Sequence, residues 1–392
     1  MKYRQLGKYG VKLSEISLGS WLTFGHGVGH KAALECISTA LKQGINFFDT
    51  ADVYNKGEAE KSLGKILFRE LNVRRDDVFV GTKCYFPMSG NPNDQGLSRK
   101  HIFESVNHSL KRLKTDYIDL MQCHRFDNYT PVEETCRAFN DLILQGKILY
   151  WGVSEWSAGN IEEAVQVCEK YNLHKPVSNQ PQYNIIRPQI ETNGVIEISE
   201  KYGLGQVVWS PLAQGILSGK YSGGKIPKGS RAANDKMNIF LKERIEKEIV
   251  DKVDKLKELT DELGVTLARF SLAWCLRKSN ITSAITGATH KEQVVENSKA
   301  VDIIFTDAAI NMAKRAPNLY LETCGVSAED KVAAAVREIG ASRVLYGSDM
   351  PFHNPAFDMA RIEYAEISER DKKLILGENA ERLLEPLVKR LK

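Results

Sequence analysis

The sequence predicts an α/β protein, a closed (βα)8 barrel over residues 1–304 followed by a two-unit βα extension over 305–392. Two observations carry this. Eight short β-rich runs alternate with longer stretches of helical spacing, the mark of repeated βα units on a parallel sheet. And 392 residues exceed one average domain, leaving room for a large barrel with an appendage. The runs are "ISLGSW" (16–21), "INFFDT" (45–50), "VFVGTK" (78–83), "YIDLMQCH" (117–124), "ILYWGVS" (148–154), "PVSNQ" (176–180), "QVVWSPL" (206–212) and "TSAITGA" (282–288). Between the first two, Ala33, Cys36, Ile37, Ala40 and Leu41 fall at i, i+3, i+4, i+7 and i+8, one face of a helix over 31–43. A barrel of this kind keeps its active site at the C-terminal ends of its strands, so the polar residues closing each run become the candidates.

Composition narrows the function classes. Hydrophobic residues make up 42% and charged residues 27%, as in a soluble globular protein. A net charge of +4, with bases interleaved among acids, is too small to imply a nucleic-acid partner, and none is expected. No apolar run is long enough for a membrane span, and "MKYRQLGKYG" has no apolar signal-peptide core, so the expected compartment is the cytoplasm. Seven scattered cysteines without a CxxC argue against both disulfides and zinc.

Four residues at the expected rim form one chemical set: Asp49 closing "INFFD", Tyr54 in the loop after it, Lys83 closing "VFVGTK" and His124 closing "YIDLMQCH". A lysine ammonium near a tyrosine favours the phenolate and is expected to lower the phenol's pKa, making Tyr54 a usable general acid. Asp49 can hold the ammonium, and His124 can donate a hydrogen bond to a carbonyl oxygen gaining charge. Singly, each is more often a salt-bridging, capping or packed side chain. Together they suit carbonyl reduction.

The segments "FFDTADVYNKGEAEKSLG", "GTK", "YIDLMQCHRFD", "GVSEWS", "QPQYN" and "WSPLAQGILSGKY" resemble the aldo-keto reductase superfamily, in the branch similar to voltage-gated potassium channel beta subunits, over residues 1 to about 304. The resemblance implies NADPH as cofactor and a small aldehyde or ketone as substrate. It assigns the adenosine end to Thr289, Gln293 and Asn297, the 2'-phosphate to Arg231, the pyrophosphate to Lys220 and Ser210, and the ribose to Ser20 and Trp21. Trp209 would stack on the nicotinamide, with Gln180 and Ser154 on its carboxamide. Glu155 departs from the pattern, standing where many members carry Asn. The alternative within the resemblance is a redox-sensing subunit that holds NADPH with slow turnover; His124 favours the enzyme, because channel-type subunits carry Asn there.

The residues themselves offer no Rossmann loop, since "GHGVGH" has the wrong spacing for GxGxxG. They do offer a helix start in "TGATHKEQVVEN", with Thr289 and Glu292 spaced as a capping box at an anion-binding helix N-terminus. His26 and His30 lie among glycines with no third ligand, which argues against a metal. The tail, with "NLYLETCG" and "VLYGSDMPFH", resembles the C-terminal quarter of a metal-dependent amidohydrolase. In that family the acid matching Asp349 binds metal, but the HxH pair is missing here, so a hydrolase is the weakest reading. The segment is expected to be a structural appendage acquired by fusion. Its open sheet edge and apolar face need covering, by the barrel's outer helices or by the same segment of a second copy in a homo-oligomer.

Overall fold

A computed structural model describes residues 1–25, 27–228, 230–234, 238, 241, 247–303, 314, 316, 318–323, 329–348 and 355–391. The chain opens with an antiparallel hairpin, β1 (Tyr3–Gln5) and β2 (Lys12–Ser14), in the register Tyr3↔Ser14. Eight parallel strands follow: β3 (Ile16–Gly19), β4 (Phe47–Asp49), β5 (Phe79–Cys84), β6 (Ile118–Cys123), β7 (Ile148–Ser154), β8 (Ser178–Gln180), β9 (Gly205–Trp209) and β10 (Ile281–Thr286). Each pairs with the next, and β10 pairs with β3 at Ala284↔Ile16, closing a barrel of the TIM type. Five fall within the apolar runs named from the sequence, and β5, β9 and β10 overrun theirs by one residue, at Cys84, Gly205 and Ile281.

The helix that the spacing places over 31–43 runs from His30 to Lys42 and buries Ala33, Cys36, Ile37 and Ala40. These side chains join strand residues such as Ile16, Leu18 and Phe48 in the layer between sheet and helices. Six of the cysteines are buried free thiols; Cys324 lies outside the described residues. Among the described residues, no helix is long and apolar enough to cross a membrane.

The hairpin went unread in the sequence. Each of its strands has only three residues, too few for an alternation to register. Its purpose is packing: Leu6 and Leu13, both fully buried, cluster with Phe47, Phe79, Leu120, Val177 and Val207, which come from β4, β5, β6, the residue before β8, and β9. They plug the barrel's N-terminal end. The hairpin turn carries Gly7 at φ +59, and a Cβ there would meet the Gly203 carbonyl oxygen at 2.2 Å, so only glycine lets the turn approach so closely.

Residues Met1–Asp302 form one compact unit and Ile303–Lys392 a second. The second holds β11 (Leu321–Glu322) and β12 (Val344–Leu345), paired in parallel at Leu321↔Val344, with the helix Glu329–Ile339 between them. Val332, Ala335, Ile339, Val344, Ile362 and Ile375 make its core. Asn379, fully buried, holds this core to its last helix by donating to the carbonyls of Ala341 and Val344 at 2.7 and 2.9 Å. Asp349, whose counterpart binds metal in the amidohydrolases but which lacks further ligands here, lies outside the described residues.

The plug gives a stability test. Leu13→Ala should destabilise the barrel by about 2 to 5 kcal/mol, as for other buried leucines whose cavity cannot collapse. A urea midpoint close to that of the unaltered protein would show that the hairpin does not brace the strands.

Candidate active site

Fourteen of the fifteen residues singled out in the sequence line one cleft of about 1390 Å³ at the C-terminal ends of the barrel strands. The exception is Lys83, fully buried behind the cleft wall. Its position follows from β5, which ends at the rim and turns this side chain inward. The ammonium donates to both Asp49 carboxylate oxygens, at 2.8 and 2.7 Å, and to the Thr50 carbonyl at 2.7 Å. A lysine has three protons to give, and all three are used. Asp49 Oδ1 also accepts from Gln180 Nε2 at 2.9 Å, so the carboxylate ties β4, β5 and β8 together.

Tyr54 stands at the cleft wall, half-buried, its ring centre 5.2 Å from the Lys83 ammonium and 5.7 Å from the centre of the His124 ring. The sequence led us to expect a lowered phenol pKa. The geometry gives the reverse: burial and the Asp49 charge push Tyr54 well above its usual value, against a weaker downward pull from Arg125. The Asp49 carboxylate, bound to the lysine, offsets most of its effect on the phenol. Tyr54 therefore keeps its proton at neutral pH. Burial also drives His124 far below its usual range, helped by the charges on Lys83 and Arg125, so the imidazole is neutral. Its Nδ1 is buried without a hydrogen-bond partner. The ring is fixed edge-on between Tyr54 and Phe86, the latter at 4.9 Å.

The rest of the cleft fits a dinucleotide. Its volume exceeds that of a drug-sized pocket. Burial lowers the pKa of Lys220, and the nearby Arg231 lowers it further; burial likewise lowers Arg231, to about 10. A wall that carries both cations suits a polyanion. Arg231 stands 4.7 Å over the Trp21 ring, which lies 6.4 Å from that of Tyr54.

Several of these side chains also have partners within the protein. Ser20 Oγ donates to Thr50 Oγ1 at 2.8 Å, and Ser154 Oγ to the Gln180 carbonyl at 2.8 Å. Ser210 takes a left-handed φ of +54, and its carbonyl accepts from Asn184. Glu155 is also left-handed, at φ +57, a conformation that suits Asn better. Its carboxylate accepts from Trp209 Nε1 at 2.8 Å and from the Gln182 amide, so it braces the indole. The capping box at Thr289 does not form. The helix Lys291–Ser298 starts one residue later, after His290, whose Nδ1 lies 3.1 Å from Glu292. Gln293 instead reaches back, its Oε1 accepting from the Thr289 amide at 2.8 Å, while Asn297 is buried against the cleft. His30 pairs with Glu70 at 2.9 Å; His26 lies outside the described residues.

Sequence reasoning missed two charged neighbours of the set. Arg125 lines the cleft beside His124, and its signal was simply adjacency to a strand-end candidate. Asp52 is fully buried two residues before Tyr54, where its Oδ2 accepts from Ser105 at 2.9 Å. Burial and the adjacent Glu60 push it up to about 7. No periodicity reveals such a group.

Residues 15–316 match the model of the Aldo/keto reductase family, and residues 301–385 match an Amidohydrolase model. The chain is 45% identical over 305 residues to a probable voltage-gated potassium channel subunit beta of Arabidopsis thaliana, covering 78% of this chain and 92% of that protein. The counterpart in Oryza sativa subsp. japonica is 45% identical over 304 residues, with the same coverage. A putative voltage-gated potassium channel subunit beta of Schizosaccharomyces pombe is 42% identical over 306 residues, covering 77% of this chain and 88% of that protein.

Asp52 makes a pH test. Its folded value lies above that of an unfolded aspartate, near 3.9, so the folded state holds a proton that the unfolded state releases. The stability it contributes is full below about pH 4 and is lost as pH rises through about 7. Asp52→Asn should therefore become more stable than the unaltered protein by about 1.4 kcal/mol per pH unit across that interval, levelling off above it. Urea midpoints measured from pH 4 to 8 check this; a flat difference would place the buried charge elsewhere.

Proposed function

The chain belongs to the aldo/keto reductase family, and on that premise we propose that it reduces small aldehydes and ketones to alcohols with NADPH, Tyr54 giving the proton. The observation that supports this most is the meeting of Asp49, Tyr54, Lys83 and His124 at one end of a dinucleotide-sized cleft. A substrate carbonyl in that corner would lie against Tyr54 and His124. Neutral His124 donates a hydrogen bond to the carbonyl oxygen without competing to protonate it. Tyr54 arrives protonated and releases its proton as that oxygen gains charge. The tyrosinate left behind is the moment at which the Lys83 ammonium beneath the ring matters, because it offsets a negative charge that Asp49 alone would oppose. When bound, NADPH supplies the hydride that attacks the carbonyl carbon. The proton ends on the oxygen, and the product is the alcohol.

For the cofactor we assign Trp209, Ser154 and Gln180 to the nicotinamide, Ser20 and Trp21 to the ribose, and Lys220 and Ser210 to the pyrophosphate. Arg231 would meet the 2'-phosphate, and Thr289, Gln293 and Asn297 the adenosine. The paired cations Lys220 and Arg231 support NADPH, the more highly charged nucleotide. A second reading is a redox-sensing binding subunit that holds NADPH and turns over slowly; the relatives' names, potassium channel subunits beta, favour it. His124 favours the enzyme, and a turnover assay separates the two.

Residues 303–392 we assign to structure or assembly, with no hydrolytic step, and a homo-oligomer formed through them is the proposed arrangement.

Two measurements test these proposals. Tyr54→Phe should retain NADPH binding, read as quenching of tryptophan fluorescence, while kcat falls by about 10²-fold or more, the scale of a lost general acid. Full turnover in that variant would remove Tyr54 from the mechanism. A chain ending at residue 302 should keep its kcat/KM for a neutral aldehyde and change its oligomeric state in sedimentation. A folded but inactive truncated chain would mean that the extension completes the pocket.

A further inference from the structure

Arg125 is a charge that the reaction just described leaves unused. It follows His124 at the end of β6, is half-buried and lines the cleft. Its Nη1 donates to the His124 carbonyl oxygen at 2.5 Å, and its guanidinium carbon stands 5.5 Å from the centre of the Phe86 ring. Phe86 is itself held edge-on to His124. The fork is thus fixed on two sides. Among the described residues, no carboxylate pairs with it, whereas Arg269, in the same cleft, pairs with Glu296 at 2.6 Å. Its field reaches the reacting groups, pulling down both Tyr54 and His124.

A guanidinium has five N–H donors in a planar fork that matches a carboxylate. One of them is committed to the His124 carbonyl, and among the described residues the others meet no acid. Held beside an aromatic ring and partly out of water, such a group is preorganised for an anion that arrives from outside. One guanidinium balances one carboxylate; a phosphate group, at −1.5 to −2, would leave charge over at this spot.

We infer that Arg125 and Phe86 form a subsite for a carboxylate on the substrate, so that aldehydes and ketones bearing a carboxylate are preferred over neutral ones. The carboxylate sits on the fork while the carbonyl faces Tyr54 and His124. This inference rests on the reductase reading. It adds the substrate class.

The test compares acids with their esters. Glyoxylate, 4-oxobutanoate and 4-formylbenzoate, each paired with its methyl ester, are assayed through NADPH consumption with the unaltered protein and with Arg125→Gln. For at least one pair, the unaltered protein should favour the acid by roughly 10- to 100-fold in kcat/KM, the scale of a hydrogen bond to a charged group. Arg125→Gln should lose at least ten times more on that acid than on its ester, with the difference carried by KM. If the variant does not fold, the unaltered protein still decides: raising ionic strength should erode the acid preference and leave the ester rate level. Equal turnover of every acid and ester, or equal losses on both in the variant, overturns the subsite and leaves the reductase standing. No turnover of any compound overturns both.

Discussion

The Asp49–Lys83 ion pair is the constraint on which the rest of the site depends. Both groups are almost wholly out of water, and an unpaired charge there would cost several kcal/mol. The pair survives because its hydrogen bonds are complete: the ammonium spends every proton, and the carboxylate gathers in Gln180 as well. Three strands are thereby pinned at the level where the cleft opens. The same completeness sets the electrostatics: a lysine balanced by its own carboxylate lowers the phenol's pKa too little to outweigh burial and the Asp49 charge, so Tyr54 starts the reaction protonated and Lys83 moderates the cost of the tyrosinate. The site is therefore organised for the charge that develops during reaction and not for one present beforehand.

Most of the architecture was legible because parallel strands, covered on both faces, write themselves as apolar runs. All eight runs became strands, and the face of the helix His30–Lys42 was readable from spacing alone. The site residues were legible for a related reason: a barrel shows its chemistry at strand ends, and Asp49, Ser154, Gln180 and Trp209 close their strands. What escaped depended on where atoms lie in space. Spacing gave Thr289 a capping box that does not form, because the helix starts after His290 and Gln293 folds back on Thr289 instead. It likewise gave Tyr54 a pKa shift of the wrong sign, since the balance among burial, Asp49 and Lys83 is set by distance. Arg125 and Asp52 sit between recognised residues, and only their burial and partners distinguish them from ordinary loop charges.

Glu155 shows how a departure from a family pattern can be absorbed. Its backbone holds a conformation that disfavours glutamate, yet the longer side chain reaches the Trp209 indole and the Gln182 amide. The strain at one residue is exchanged for a fixed orientation of another. That exchange ties the ends of β7 and β9 across the intervening strand, on the same rim that the Asp49 network braces from the other side.

The pairing of β10 with β3 also has a consequence for how the molecule is made. Ile16 has no lasting neighbour on its outer side until Ala284 exists. On a ribosome adding about 5 to 20 residues per second, the first strand waits roughly a quarter of a minute to a minute for its partner. Through that interval the nascent sheet carries two open edges, and the contacts that close it join the two ends of the barrel sequence, the kind that slows folding. The C-terminal unit emerges afterwards, built from residues near one another in the chain, so synthesis delivers the slow-closing part first and leaves it the time needed to translate the rest.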